Sequence, residues 1–185
     1  MTKYTTVPLR RGIFEIRGLL DILDKTGGYV AGGYARYCAS PKATGPAPDD
    51  VDVFVEKQEQ FEAIIEELSN AGCWEALDSS IATSFVPPSH EGSIFQSCPQ
   101  IQIIKPMTKN GVTSQGSIEE IMDSFDFTVT KATINKDRLT ATVHRSFRHH
   151  ENLKHLVIER TEGFSDSLYS LQRIIRYVAK GYSID

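Results

Sequence analysis

The chain has 185 residues, 40% of them hydrophobic and 24% charged, with a net charge of -4. That length and composition support one compact core without structural metal or disulfides, and they exclude a disordered or collagen-like chain. The mild acidity argues against a broad nucleic-acid footprint, and the three cysteines lack any Cys-x-x-Cys spacing, so reduced thiols in a cytoplasmic setting are expected. Apolar runs are too short for a membrane span, and the N-terminus has no signal-like core. In chain order, Phe14 to Leu23 repeat at helical spacing and stop at Gly27-Gly28, ahead of a short strand at Tyr29-Val30-Ala31. Val51 to Val55 form a buried strand, and Phe61 to Leu68 mark a second helix. Strands follow near Cys73 to Leu77, Ile81 to Val86 and Ile101 to Ile104, separated by an irregular Pro87 to Ser93. Met107 to Gln115 reads as loop, and Ser117-x-x-Glu120 is a capping box that opens a short helix ending at Ser124. Phe125 to Ile134 and Leu139 to Val143 read as two strands joined by a turn, and a last helix spans about residues 165 to 180. The fold class is therefore α+β, a mixed sheet flanked by helices. The domain reading is a single unit, 1–185, with a core over 28–143 and a C-terminal helical segment over 144–185.

Two features in this frame carry chemistry. Asp50 and Asp52 alternate with valines on one strand, so they share a face, and two carboxylates at that spacing repel unless a cation neutralises them. Hard oxygen ligands suit Mg²⁺ or Mn²⁺. Ahead of them Gly32-Gly33 forms a turn where the backbone can approach a phosphate closely, with Arg36 on the short helix that follows. Asp126 lies between two phenylalanines, where an aspartate needs a partner, and is read as a third site acid, a nucleotide ligand or a structural anchor. Arg173 and Arg176 share a helical face suited to phosphate, or are simply solvated there. Arg145 to His155 form a local basic cluster.

Gly32-Gly33-Tyr34-Ala35-Arg36 with Asp50-Val51-Asp52-Val53 resembles the signature of the DNA polymerase β-like nucleotidyltransferase superfamily, in particular the head domain of class II CCA-adding enzymes and bacterial poly(A) polymerases. Phe125-Asp126-Phe127-Thr128 and the arginine-bearing stretch from Leu171 to Ile184 are similar to two further motifs of those enzymes, in the same order. Ser124 and Phe125 stand where that motif has two arginines. Short proteins of this form are common in phage genomes, which would place this one in a host cytoplasm. The resemblance implies a polymerase β-like palm and metal-dependent transfer of a nucleoside monophosphate from an NTP to a hydroxyl, with pyrophosphate released. Catalytic roles fall to Asp50, Asp52 and Asp126, metal ligation to Asp50 and Asp52, and nucleotide contacts to Gly32, Gly33, Arg36, Asp126, Arg173 and Arg176. The acceptor is left open between an RNA 3′ end such as tRNA, a small molecule and a protein. The chain ends where the family's helical neck, body and tail would begin, so CCA addition by this chain alone is not expected. A partner subunit could supply specificity, and the rival function is a binding module that keeps the fold without turnover.

Overall fold

A computed structural model describes residues 2–41, 47–109, 112–113, 116–159 and 167–184. The chain runs β1 (Tyr4–Pro8), α1 (Arg17–Thr26), β2 (Tyr29–Ala31), α2 (Gly33–Ala39), β3 (Asp50–Phe54), α3 (Gln58–Asn70), β4 (Trp74–Asp78), β5 (Ala82–Val86) and β6 (Gln100–Ile104). It continues with β7 (Thr108–Lys109), β8 (Val112–Thr113), α4 (Ile118–Asp123), β9 (Ala132–Ile134), β10 (Thr140–His144), α5 (Phe147–Leu153), β11 (His155–Leu156), α6 (Ser167–Ala179) and β12 (Ser183–Ile184). Eight strands form one sheet in the order β1-β10-β9-β2-β3-β6-β5-β4. Only β3 and β6 run parallel within it, so the sheet is mixed and the α+β reading holds.

Side-chain alternation decides which face each strand residue serves. Val51 and Val53 are fully buried against one face of the sheet, with Ile101, Ile103 and Phe85 from the neighbouring strands. Leu19, Leu20, Ile22 and Leu23 of α1 and Phe61, Ile64 and Leu68 of α3 seal that face, each set at the three-to-four-residue spacing of a helical stripe. Tyr34, Ala35 and Cys38 of α2 join the same core. Asp50, Asp52 and Phe54 therefore point the other way. There α4 covers part of the sheet, packing Ile121, Met122 and Phe125 around Ala31 and Phe54, with the Phe54 and Phe125 rings 5.3 Å apart. The capping box that opens α4 is present, Ser117 Oγ accepting from the Glu120 amide at 3.4 Å and Glu120 Oε2 accepting from the Ser117 amide at 2.8 Å.

Several elements depart from the sequence reading. The first helix starts at Arg17, three residues after Phe14, which is exposed. Phe125 to Lys131 is a turn with one isolated bridge, Phe127 to Ile158, and only Ala132–Ile134 pairs as a strand. The apolar, β-branched composition of that stretch mimics a strand, but Thr130 donates from its hydroxyl to the Phe127 carbonyl, a local bond that competes with a ladder. Six elements were not anticipated: β1, α5, the short strands β11 and β12, and the β7–β8 pair, which falls in the stretch from Met107 to Gln115 that reads as loop. Residues 42–46 of the proline-rich loop, residues 110–111 and 114–115 of the stretch expected as loop, and the expected start of the last helix at 165–166 lie outside the described residues.

Candidate functional site

β3 sits in the middle of the sheet and presents Asp50 and Asp52, half-buried, on the face that α4 leaves open. Asp52 pairs in register with Ala31 on one side and Gln102 on the other. Burial raises the Asp52 carboxyl to about 7, the charge of Asp50 adds to the shift, and Arg173 opposes it. Gln102 Nε2 donates to Asp50 Oδ2 at 3.2 Å. The glycine turn faces the same point: a Cβ on Gly32 would meet Asp52 Oδ2 at 3.8 Å, and Gly32 has φ of 78°, which glycine adopts without strain. At Gly33 a Cβ would meet nothing within 4 Å. The turn is pinned by the Gly32 amide donating to the Ala132 carbonyl at 2.9 Å.

α6 brings cationic groups over this face. Arg173 Nη1 donates to Asp126 Oδ2 at 2.7 Å, and its guanidinium lies 5.5 Å from the Phe127 ring. Asp126 is thus engaged with an arginine, and Arg173 in turn is close enough to Asp52 to lower its carboxyl. Arg176 is exposed one turn further on. Lys180, in the turn after α6, feels the fields of Asp50 and Asp49, although burial and Arg36 hold its ammonium below the usual lysine range. Lys180 was missed in the sequence reading. Its signal was the spacing 173, 176, 180, which continues one helical face.

Arg36 sits elsewhere than its sequence position suggests. Its guanidinium is buried, with Nη1 donating to Glu151 Oε1 at 3.1 Å and to the Tyr182 hydroxyl at 2.7 Å, between the rings of Tyr177 and Tyr182. Glu151 also accepts from Ser40 Oγ at 2.8 Å and Lys154 Nζ at 3.1 Å. Arg36 therefore ties α2 to α5 and to the chain after α6, so the glycine turn and the cationic helix are held by one buried network. His150, within the local basic cluster, is bonded to Thr128 Oγ1 at 2.8 Å. Among the described residues no group of three or more His, Cys, Asp or Glu side chains is arranged to hold a metal, so the donors available are the Asp50 and Asp52 pair. A cavity of about 330 Å³ lined by Arg10, Gly12, Phe14, Arg138 and Leu139 lies at the opposite end of β1 and β10 from the carboxylates.

The Gabija anti-defense 2 family protein profile, Gad2, matches residues 8–154. The chain belongs to the Gabija anti-defense 2 family. No curated protein matches the chain. Among solved structures, the Thermotoga maritima CCA-adding enzyme complexed with tRNA superimposes with a TM-score of 0.66 at 17% identity, covering 100% of this chain and 43% of that one. The Bacillus stearothermophilus CCA-adding enzyme in complex with CTP gives 0.60 at 18% identity, covering 95% and 42%. A tRNA nucleotidyltransferase complexed with a primer tRNA and an incoming ATP analog gives 0.60 at 16%, covering 90% and 46%. This member of the Gabija anti-defense 2 family thus shares the fold of those nucleotidyltransferases and spans less than half the length of those enzymes. Among the described residues no helix is long and apolar enough to cross a membrane.

Proposed function

We propose that the protein is a metal-dependent nucleotidyltransferase whose activity serves the counter-defence role that the name of its family states. The observation that carries this reading is the Asp50 and Asp52 pair on the open face of the central strand, directly opposite the Gly32 turn. A half-buried carboxyl raised to about 7 beside a second carboxylate, with Arg173 offsetting the shift only in part, is an oxygen donor set that Mg²⁺ or Mn²⁺ fits. Such an ion, held by Asp50 and Asp52, would supply charge neutralisation on the triphosphate.

The chain's own residues supply the rest. Gln102 orients Asp50 through its amide. The Gly32-Gly33 backbone admits phosphate oxygens where any Cβ would intrude, Arg173, oriented by Asp126, offers a guanidinium for phosphate, and Lys180, further along the segment, adds a charge that feels Asp50. Arg176 extends that positive face outward. The acceptor hydroxyl attacks the α-phosphorus of an NTP and gives up its proton to solvent, the bond from that phosphorus to the oxygen bridging to the β-phosphorus breaks, and pyrophosphate leaves. Asp126, paired with Arg173, serves in this reading to position the arginine rather than to take the hydroxyl proton. Arg36 acts through the fold, by fixing α2 against the C-terminal segment.

A second reading, a binding module without turnover, is favoured by Ser124 and Phe125, which offer no guanidinium beside Asp126. One experiment separates them. The chain is incubated with each labelled NTP, Mg²⁺ or Mn²⁺, and separately with tRNA, total RNA and purified Gabija proteins, beside the Asp50→Asn/Asp52→Asn variant. Label transfer that vanishes in the variant establishes the enzyme and its acceptor class. Metal-dependent NTP binding without transfer moves the assignment to the binding module.

A further inference from the structure

The sheet ends on β4, and every residue of that strand, Trp74-Glu75-Ala76-Leu77-Asp78, is exposed. Among the described residues it pairs with β5 on one side and with no strand on the other. Its outer edge therefore offers unpaired backbone donors and acceptors, the feature that other strands add to. The side chains are also unusual for an unprotected edge: Trp74 is 69% exposed and Leu77 60%, with Ile81 and Val86 exposed beside them.

Register places this patch relative to the carboxylates. Leu77 pairs with Ser84, Ser84 with Gln102, and Gln102 with Asp52, so one row crosses the sheet from the edge to the site. Val86, two residues from Ser84, and its partner Trp74 share that face. Three inter-strand steps separate Leu77 from Asp52, roughly 14 Å. A chain seated on β4 thus lies on the rim of the same open face.

Charge says what kind of chain. From residue 58 to residue 104, which covers α3, β4, β5 and β6, there are seven acidic side chains and no lysine or arginine. All 20 lysines and arginines lie outside that span, and the first after it, Lys105, is bonded to Asp78 at 2.8 Å. With Lys105 already engaged by Asp78, the edge offers an RNA backbone little positive charge to replace its counterions. Two copies of this edge would bring two predominantly acidic surfaces together. A basic, extended polypeptide satisfies all three features: the open ladder, the apolar side chains and the negative field.

We propose that β4 is a docking strand for a basic, extended segment of a protein partner, which pairs with its edge and covers Trp74 and Leu77. This goes beyond the transfer chemistry, since docking at β4 requires none of the site residues. Trp74 is the only tryptophan of the chain and reports on its own burial. The test titrates the full chain with a short alternating Lys-Val peptide, reading Trp74 emission and amide exchange over residues 74–78. A blue shift with slowed exchange is expected. The same peptide N-methylated on alternate residues, or with Glu for Lys, is expected to give neither. Glu75→Lys is expected to weaken binding about tenfold or more by setting like charges together, with Mg²⁺-dependent NTP binding unchanged. Asp52→Asn is expected to leave peptide binding intact, so failure of the docking assignment and failure of the transfer assignment are told apart. Absence of any shift at millimolar peptide, equal binding of the N-methylated peptide, a shift on adding poly(U), or protection of β4 by self-association of the chain alone would each overturn the proposal.

Discussion

At the scale of single residues, Asp52 and Glu151 show opposite ways of burying a carboxylate. Asp52, raised to about 7 by burial and by Asp50, keeps in the folded state a proton that the unfolded chain releases near 4. Without bound cation, its contribution to stability therefore falls as pH rises from about 4 to about 7 and stays low above that. Asp52→Asn removes this slope. Allowing for its partial exposure, the variant is expected to be about 2 kcal/mol more stable than the parent at pH 8 and equal to it at pH 4, measured by urea unfolding without divalent ions. Added Mg²⁺ should stabilise the parent and not the variant; equal stabilisation of both would remove the Asp pair as the ligand set. Burial also works against the Glu151 carboxylate, but Arg36, Tyr182, Ser40 and Lys154 outweigh it and hold the group below the usual glutamate range. Its contribution is present above the unfolded value near 4.5 and is lost as pH falls through the depressed one. Glu151→Gln leaves the buried Arg36 guanidinium without its counter-charge and is expected to cost about 3 kcal/mol at pH 7, less in acid. Gly33→Ala is the contrasting case. No atom lies within 4 Å of the added Cβ, so melting should be unchanged or slightly raised, while NTP affinity drops about tenfold where phosphate must approach the turn. Unchanged affinity would move the phosphates away from Gly33.

At the scale of elements, local rules and tertiary context can disagree, and Gly18 in α1 is a measurable instance. Alanine in a helix interior is favoured over glycine by about 1 kcal/mol, yet a Cβ at Gly18 would sit 2.9 Å from the Ile94 backbone oxygen. The oxygen belongs to backbone and cannot rotate away, so Gly18→Ala is expected to destabilise the protein by about 1–2 kcal/mol in chemical denaturation; a stabilised variant would mean the segment around Ile94 yields freely. The same tension explains what was legible in the sequence. β3, α3, β5, β6 and α4 were readable because period, caps and breakers all agreed there, and the glycine turn and the Asp50 and Asp52 pair were placed by those elements. α5 was not, because Arg148, His149 and His150 make residues 145–155 look like a solvated charge run, whereas Phe147 and Glu151, four apart, are buried. β1 was missed because its burial pattern contains one inward residue, Val7, and the strand gains its place only by pairing with β10, more than a hundred residues away in sequence. The fate of Arg36 was not readable either. Its partners Glu151 and Tyr182 are 115 and 146 residues distant, and no local pattern announces a pairing at that range.

At the scale of the whole molecule, the question is whether the C-terminal segment is an appendage to the sheet or part of its core. The family match ends at residue 154, before α6, whereas the fold shared with the CCA-adding enzyme bound to tRNA extends over all of this chain. The packing argues for the second view. Phe127 and Val129 are buried against Leu156, Tyr177 and Tyr182, a cluster with two members before residue 154 and three after it. Lys131, 1% exposed, donates to Glu159 at 2.8 Å, and Glu159 also reaches His144 at 3.2 Å. Removing residues 155–185 would strip the buried Lys131 ammonium and the His144 ring of the Glu159 carboxylate and Arg36 of Tyr182, while leaving all eight strands of the main sheet in the chain. An uncompensated buried charge alone costs about 3–5 kcal/mol. With a shift of about 2–4 °C per kcal/mol for a chain of this size, the truncated protein is expected to melt at least about 10 °C lower. Its exposed aromatic surface should bind a hydrophobic dye, and NTP affinity should be lost with Arg173 and Lys180. Unchanged melting with lost NTP affinity would instead make the segment a separable clamp over the carboxylates. In the expected case the cationic helix cannot leave the site without loosening the glycine turn, because Arg36 on α2 and Tyr182 after α6 share one buried hydrogen bond.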